Sequence, residues 1–390
     1  MSSDQSFFAG PARAPHRSLF HALGVSRADL DKPLIGICNS YNELIPGHMH
    51  LNTIAQQVKY GVYEGGGTPL EFNVIGVCDG IAMNHEGMSY SLVSRENIAD
   101  SVEIMIKAHG LDGLVFVTNC DKIVPGMLMA AARLDVPAVM VTGGPMLAGD
   151  FQGSKVSLSQ VFEGLGRYIK GDMTAEELDE LEQCACPTCG SCAGLFTANS
   201  MGCVCEALGL SLPGDATIPA PYSARLILAR QSGAAAVEVA RKGWGIRRFI
   251  TPASVRNALA VDAALGCSTN TVLHVMAIAK EAEVELSLET FNEVADKTPN
   301  LVKVSPSGPN HMEDLYRAGG VMAVYKRLAE AGPVDGSVPT VAGVDLATQY
   351  DAAVIRDDEV IRPLARPYGK TGGLAILFGN LAPSGAVVKE

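Results

Sequence analysis

The sequence contains no run of eighteen or more apolar residues, so no segment of it predicts a membrane-spanning helix. It also lacks a basic excess: Lys and Arg number 30 against 42 Asp and Glu, a formal net charge of -12. That balance disfavours an electrostatic hold on nucleic acid or on an anionic membrane. The first twenty residues hold Asp4, Pro11 and Pro15 but no apolar core, so an export signal is not expected and a cytoplasmic location is. Charge itself is scarce, at 18% of residues against 47% hydrophobic. What is present suffices for a large core, in a chain expected to associate as a homodimer or homotetramer.

Ten cysteines need a role in such a chain. A reducing compartment leaves metal ligands, catalytic thiols or buried apolar side chains, the last being the default for a cysteine on its own. Clustering shifts that default in Cys184-Ala-Cys186-Pro-Thr-Cys189-Gly-Ser-Cys192-Ala-Gly. Its C-x2-C-x2-C spacing, with small residues between, suits thiolates wrapped around an iron–sulfur cluster, although the fourth cysteine and the proline of the ferredoxin pattern are missing. Zinc is the second reading, but structural zinc wants two paired knuckles, and only Cys203-Val-Cys205 lies nearby at the wrong gap. Unliganded thiols are the third. Cys203 and Cys205 fall in an expected helix from about Thr197, where core packing is the favoured role.

Apolar runs alternate with helical patterns through the first part of the chain. Candidate strands are Pro33 to Cys38, Leu70 to Val77, the run from Gly113, and Pro137 to Thr142. Between them lie an amphipathic helix from about Met49 to Glu64 stopped by Gly65-Gly66-Gly67, a helix capped by Ser94 and running to His109, and a helix from about Pro125 to Leu134. The loop Ile81 to Ser94, rich in Gly, Met, His and Ser, suits a substrate-facing surface. This order predicts a doubly wound α/β domain, with a largely parallel sheet flanked by helices. Residues 1–30 are expected to be a polar, irregular arm packing on another subunit or domain.

The organising stretch is Gly113 to Lys122, GLVFVTNCDK. It reads as a buried strand that ends in a thiol, a carboxylate and an amine, at the sheet edge where open α/β folds bind ligands. Three strands thus end at Cys38, Cys78-Asp79 and Cys120-Asp121, on one edge if the sheet is parallel. In an extended chain the neighbours Cys120 and Asp121 would face opposite sides. Further on, Gly266-Cys-Ser268-Thr269-Asn270 opens a helix, either as an ordinary cap using Ser268 or Thr269, the favoured reading, or as a site for an anion such as a carboxylate. His311-Met-Glu313-Asp314 reads as ligands or as a polar helix start. Residues 332–367 read as a connection, and Thr371 to Lys389 as two short strands around a turn.

These residues resemble the dihydroxy-acid and phosphogluconate dehydratase family. The carrying segments are Pro46-Gly-His48, Cys78-Asp-Gly-Ile-Ala-Met83 with His85-Glu-Gly-Met88, Ser94-Arg-Glu96 with Ala99-Asp-Ser101, Asn119-Cys-Asp-Lys122 with Pro125-Gly-Met-Leu-Met129, Cys186-Pro-Thr-Cys-Gly-Ser-Cys192, Thr197-Ala-Asn-Ser-Met201 and Ser268-Thr-Asn270. The resemblance implies dehydration of a small-molecule 2,3-dihydroxy acid to a 2-keto acid, with an iron–sulfur cluster taking the leaving hydroxyl and Mg²⁺ the carboxylate side. It implies Cys120 and Cys192 as cluster ligands, and Asp79, Asp121 and a carbamylated Lys122 as Mg²⁺ ligands. The alternative for Lys122 is a salt bridge to Asp121.

Two departures matter. Family members with a [2Fe-2S] cluster have a third cysteine where this chain has Gly47, so a [4Fe-4S] type is favoured. The third thiol is then open among Cys189, placed first, and Cys186, Cys78 and Cys38. The family also continues past residue 390 into a barrel-like domain that brings another carboxylate and the base serine. The expectation is therefore an α/β domain over 31–368, then the first strands of a truncated β-barrel-like domain over 369–390, in a form inactive alone. Rival readings are a sugar-acid dehydratase, acting on 6-phosphogluconate or an aldonate, and a non-catalytic iron–sulfur or zinc binding module.

Overall fold

The structure, a computed structural model, describes residues 8–332 and 334–389. The first seven residues of the expected arm, Pro333 in the expected connection and the final Glu390 lie outside them. The described part of the arm is helical rather than irregular. After a 3-10 turn come α1 (Ala14–Ala22) and α2 (Arg27–Leu30), the latter started by a capping box between Ser26 and Asp29. Phe8, Val25 and Leu30 pack with Leu34 at the start of the first strand, which ties the arm to its own chain.

Strand β1 (Leu34–Asn39) leads into α3 (Leu51–Glu64) and β2 (Thr68–Asn73); α4 (Asp79–Ala82) and α5 (Ser91–His109) then lead to β3 (Gly113–Thr118), α6 (Ile123–Leu134) and β4 (Ala138–Thr142). The sheet order is β2-β1-β3-β4, parallel throughout, with Ile37 level with Glu71 and Val115. Every residue of β1, β3 and β4 is buried, as the continuous apolar runs require of strands covered on both faces, whereas β2 lies at the edge and is partly open. The β1-to-β2 and β2-to-β3 crossovers run in opposite directions, so right-handed connections put α3 and α5 on opposite faces.

Two expected boundaries move. β2 stops at Asn73, level with the last residue of β1, because no partner strand continues beyond it; residues 74–78 leave the sheet as a loop. Helix α5 starts at Ser91, so Ser94 lies inside it and donates to the Ser91 carbonyl instead of capping.

A small hairpin, β5 (Gly149–Phe151) with β6 (Ser154–Val156), and two helices, α7 (Leu158–Lys170) and α8 (Ala175–Cys184), form a satellite with its own apolar cluster around Met173 and Leu181. Thr174 and Glu177 make a capping box at the start of α8. Helix α9 (Thr197–Ala207) is buried throughout, Cys203 and Cys205 included. Next, α10 (Ser223–Arg241) crosses α3 so closely that a Cβ on Gly61 would lie 1.8 Å from the Arg230 carbonyl oxygen. Only glycine allows that approach.

The remaining helices are α11 (Pro252–Leu265), α12 (Asn270–Glu281), α13 (Leu288–Ala295), α14 (Met312–Ala318), α15 (Gly320–Ala331) and α16 (Leu346–Asp351). Asp314 accepts from the His311 backbone amide at 2.8 Å, so the motif opens α14 as a polar helix start expects. The last strands, β7 (Leu374–Leu377) and β8 (Ala386–Lys389), pair with each other, and Ile376 exchanges two 2.8 Å hydrogen bonds with Asn292 on α13. No helix among the described residues is long and apolar enough to cross a membrane.

Candidate active site at the carboxyl edge of the sheet

The strand β3 leaves the sheet through a left-handed residue. Cys120 has φ 64°, and the chain turns at once into α6, whose N-cap is Lys122. The extended geometry expected for Cys120 and Asp121 is therefore absent: a turn replaces it, because the helix begins too soon for the strand to continue. Asn119 anchors this turn by donating to the carbonyls of Gly47 (3.1 Å) and Gly144 (3.2 Å).

The oxygen donors come from two neighbouring segments. Asp79, in the first turn of α4, accepts 2.6 Å from Lys122 Nζ on Oδ2 and 2.5 Å from Ser91 Oγ on Oδ1, and the Asp79 and Lys122 side chains are both buried. Asp121 is partly buried beside them. Burial and the Asp79 carboxylate push its pKa up, opposed by Lys122 and the Thr197 hydroxyl. Thr197 in turn accepts from Asn270 Nδ2 (2.9 Å) and shares a hydrogen bond with Ser268 Oγ (2.8 Å). Ser268 also accepts from the Asn270 amide at 3.3 Å, as the cap reading expects, while Thr269 makes no side-chain cap. The turn therefore both opens α12 and braces Thr197 against Asp121.

Three thiols gather near these oxygens, from three different segments. The Cys120 thiol is pushed up chiefly by burial, then by the charges of Asp121, Cys78 and Cys192. Cys192 rises to about 12 through burial, Asp121 and Cys78. Cys78 is also raised by burial, with the Ile81 and Gly80 amides opposing. Cys189 is half-buried, and no other thiol acts on it; Cys186 is exposed, although its charge reaches Cys192. Cys38 is fully buried within β1. The C-x2-C-x2-C run thus contributes Cys192 to the group, and Cys78 joins from the loop after β2.

The donor set suits two different groups. Among the described residues no three His, Cys, Asp or Glu side chains converge on one ion; cluster thiolates sit on separate irons and need no such convergence. A Cβ on Gly47 would lie 3.4 Å from Cys120 Sγ, so the glycine leaves space beside that thiol. Sulfur donors fit an iron–sulfur cluster, and the carboxylates of Asp79 and Asp121 fit Mg²⁺.

Residues 32–349 match the domain described as dihydroxy-acid/6-phosphogluconate dehydratase N-terminal, and residues 359–390 its C-terminal counterpart. The chain belongs to the dihydroxy-acid/6-phosphogluconate dehydratase family. It is 58% identical to the dihydroxy-acid dehydratase of Carboxydothermus hydrogenoformans over 98% of this chain and 69% of that protein. It is 55% identical to the enzyme of that name from Desulfitobacterium hafniense, over 98% of this chain and 68% of the relative.

The candidate site also includes residues without a role in the sequence reading. Ser91 and Arg95 stand one turn apart on α5, and the late helix start expected at Ser94 hid that relation. Arg95 Nη1 donates to His274 Nδ1 at 3.2 Å, and His274, on α12, is fully buried. Burial, Arg95 and Lys122 together press its pKa down to about 3, so the ring is neutral. The sequence signal for His274 is a lone histidine inside the apolar run from Val272 to Met276 of that helix.

Proposed function

We propose that the protein dehydrates 2,3-dihydroxy-3-methyl carboxylic acids to 2-keto acids, as in valine and isoleucine biosynthesis, and works in the cytoplasm as a homodimer or homotetramer. The observation that carries this reading is the gathering of Cys78, Cys120 and Cys192 beside Asp79, Asp121 and Lys122. In this reading the three thiols hold the cluster, with Cys78 taking the third place ahead of Cys189. Asp79, Asp121 and a carbamylated Lys122 hold Mg²⁺. Gly47 offers no thiol, which favours [4Fe-4S] over [2Fe-2S]. When bound, the two groups supply a Lewis acid for the leaving hydroxyl and a positive charge beside the substrate carboxylate.

The chain's own residues prepare the site. Ser91 fixes the orientation of the Asp79 carboxylate through its 2.5 Å hydrogen bond, and Thr197, braced by Ser268 and Asn270, does the same for Asp121. The left-handed turn at Cys120 lets one short segment serve the sulfur and the oxygen sides together. No residue of this group is assigned as the base.

Anaerobic reconstitution followed by iron, sulfide and zinc analysis tests the proposal. Iron with equimolar sulfide supports the cluster, and zinc without sulfide overturns it in favour of a non-catalytic module. The family description also includes 6-phosphogluconate dehydratase, so rates on dihydroxyisovalerate, gluconate-type acids and 6-phosphogluconate decide the substrate class. Turnover by the 390-residue chain itself would overturn the expectation that the base lies beyond residue 390.

A further inference from the structure

One buried polar atom near Lys122 has no partner. His274 is fully buried, and its Nδ1 faces the Arg95 guanidinium at 3.2 Å. A guanidinium can only donate, so Nδ1 is the acceptor and the neutral imidazole carries its proton on Nε2. That Nε2–H finds no acceptor in the protein. Most buried side-chain donors in folded proteins are satisfied; His274 Nε2 is one of several buried side-chain atoms here without a partner, and the one set beside the Arg95 and Lys122 cations.

The cations nearest His274 are each held by a carboxylate, Arg95 by Glu96 and Lys122 by Asp79, and none of these oxygens accepts from Nε2. Helices α5 and α12 both pack on α6, which brings Arg95 from α5, Lys122 from the N-cap of α6 and His274 from α12 into one buried region. Arg95 and the Lys122 ammonium both donate. The Asp79 oxygens are already engaged, Oδ2 by Lys122 and Oδ1 by Ser91. Two cations and an imidazole N–H are thus grouped without an acceptor for the last. An anionic oxygen on Lys122 would resolve the arrangement.

We propose that the Nε2–H of His274 is the donor for a carbamate on Lys122, which makes His274 a positioning residue for that ligand. The inference rests on the reading of Lys122 as carbamylated. In that step the Lys122 ammonium releases one proton to water, and the Nζ lone pair attacks the carbon of dissolved CO2. A C=O electron pair moves onto oxygen, and the second proton leaves Nζ for water. The product is Nζ–H–COO⁻, and nothing is oxidised or reduced. One carbamate oxygen then accepts from His274, and the lysine end changes from a donor that repels Arg95 to an acceptor that attracts it.

The test uses the whole chain, equilibrated with isotope-labelled bicarbonate with and without Mg²⁺, and reads the carbamate carbon by NMR, independently of turnover. The wild-type protein should show the carbamate. His274→Leu should lose roughly tenfold or more of its occupancy at the same CO2, the scale of a hydrogen bond to a charged group, and His274→Gln, which keeps a donor, should retain more. No carbamate in the wild type overturns the Lys122 reading and this inference with it. A folded His274→Leu protein that is carbamylated as fully as the wild type overturns the inference alone. Should that variant fail to fold, labelled histidine in the wild type decides: the Nε2–H signal of His274 must move when CO2 is added, and a signal that stays in place overturns the proposal.

Discussion

Lys122 forms its ion pair with Asp79, 43 residues away in sequence, at 2.6 Å and with both side chains buried. The alternative read from the sequence, a salt bridge between the neighbours Lys122 and Asp121, gives way because the turn at Cys120 carries Lys122 to the α4 side. In the metal-free protein, removing one member of a buried pair strands the other charge. Asp79→Asn or Lys122→Met alone should therefore cost about 3–5 kcal/mol. The double variant should cost clearly less than the sum. Urea unfolding of the four proteins measures the coupling, and simple additivity would show that the pair does not act as a unit.

The thiols separate into two groups. Cys78→Ser, Cys120→Ser and Cys192→Ser should each lose iron and sulfide after anaerobic reconstitution, because each of these thiols lies in the electrostatic reach of the others. Cys189→Ser and Cys38→Ala should keep both, since Cys189 interacts with no other thiol and Cys38 is sealed within β1. Iron per chain is the readout. Loss in Cys189→Ser with retention in Cys78→Ser would return the third place to Cys189.

Legibility in the sequence follows the range of the forces. The strands β1, β3 and β4 could be read because burial on both faces leaves a continuous apolar run. The end of β2 could not, since Val74, Ile75 and Val77 continue the apolar pattern where the partner strand has ended, and Ile75 is 55% exposed. The Asn119–Lys122 turn was legible as the end of a strand at the sheet edge, whereas the strand expected to end at Cys78-Asp79 stops at Asn73 and Asp79 opens α4 instead. Which thiol completes the group was not legible, because spacing within a cysteine run does not say where each side chain points. Arg95 and His274 are 179 residues apart, and only the packing of α5 and α12 on α6 joins them.

Two glycines near the thiols should respond in opposite ways. Gly190 has φ 124°, its amide donates to the Pro46 carbonyl, and a Cβ there would lie 2.3 Å from the Met146 nitrogen. Gly190→Ala should therefore cost about 1–3 kcal/mol in backbone strain alone and displace the segment carrying Cys192, lowering iron content as well. At Gly47 the nearest atoms to a Cβ are at 3.4 Å, an ordinary contact. Gly47→Ala should fold with a stability change below about 1 kcal/mol. Thermal melts with iron analysis compare the two, and equal effects would remove the distinction.

Away from the Asp79–Lys122 pair, Asp262 should give the protein a pH-dependent stability. It is buried on α11, accepts from Thr271 Oγ1 at 3.1 Å on Oδ2 and has no partner on Oδ1. Burial pushes its pKa up from 3.8 to about 7, against the opposing effects of Thr271, Cys267 and Lys389. Between those values the folded chain holds a proton that the unfolded chain has released. The stabilisation is thus complete below about pH 4 and is lost as pH rises to about 7. At 1.36 kcal/mol per pH unit the gap corresponds to an upper figure of about 4 kcal/mol. Asp262→Asn cannot ionise and can still accept from Thr271, so it should be more stable than the wild type at about pH 8 and lose that advantage towards about pH 4. Urea midpoints across that range test the sign, and parallel curves for the two proteins would assign the pH dependence to another group.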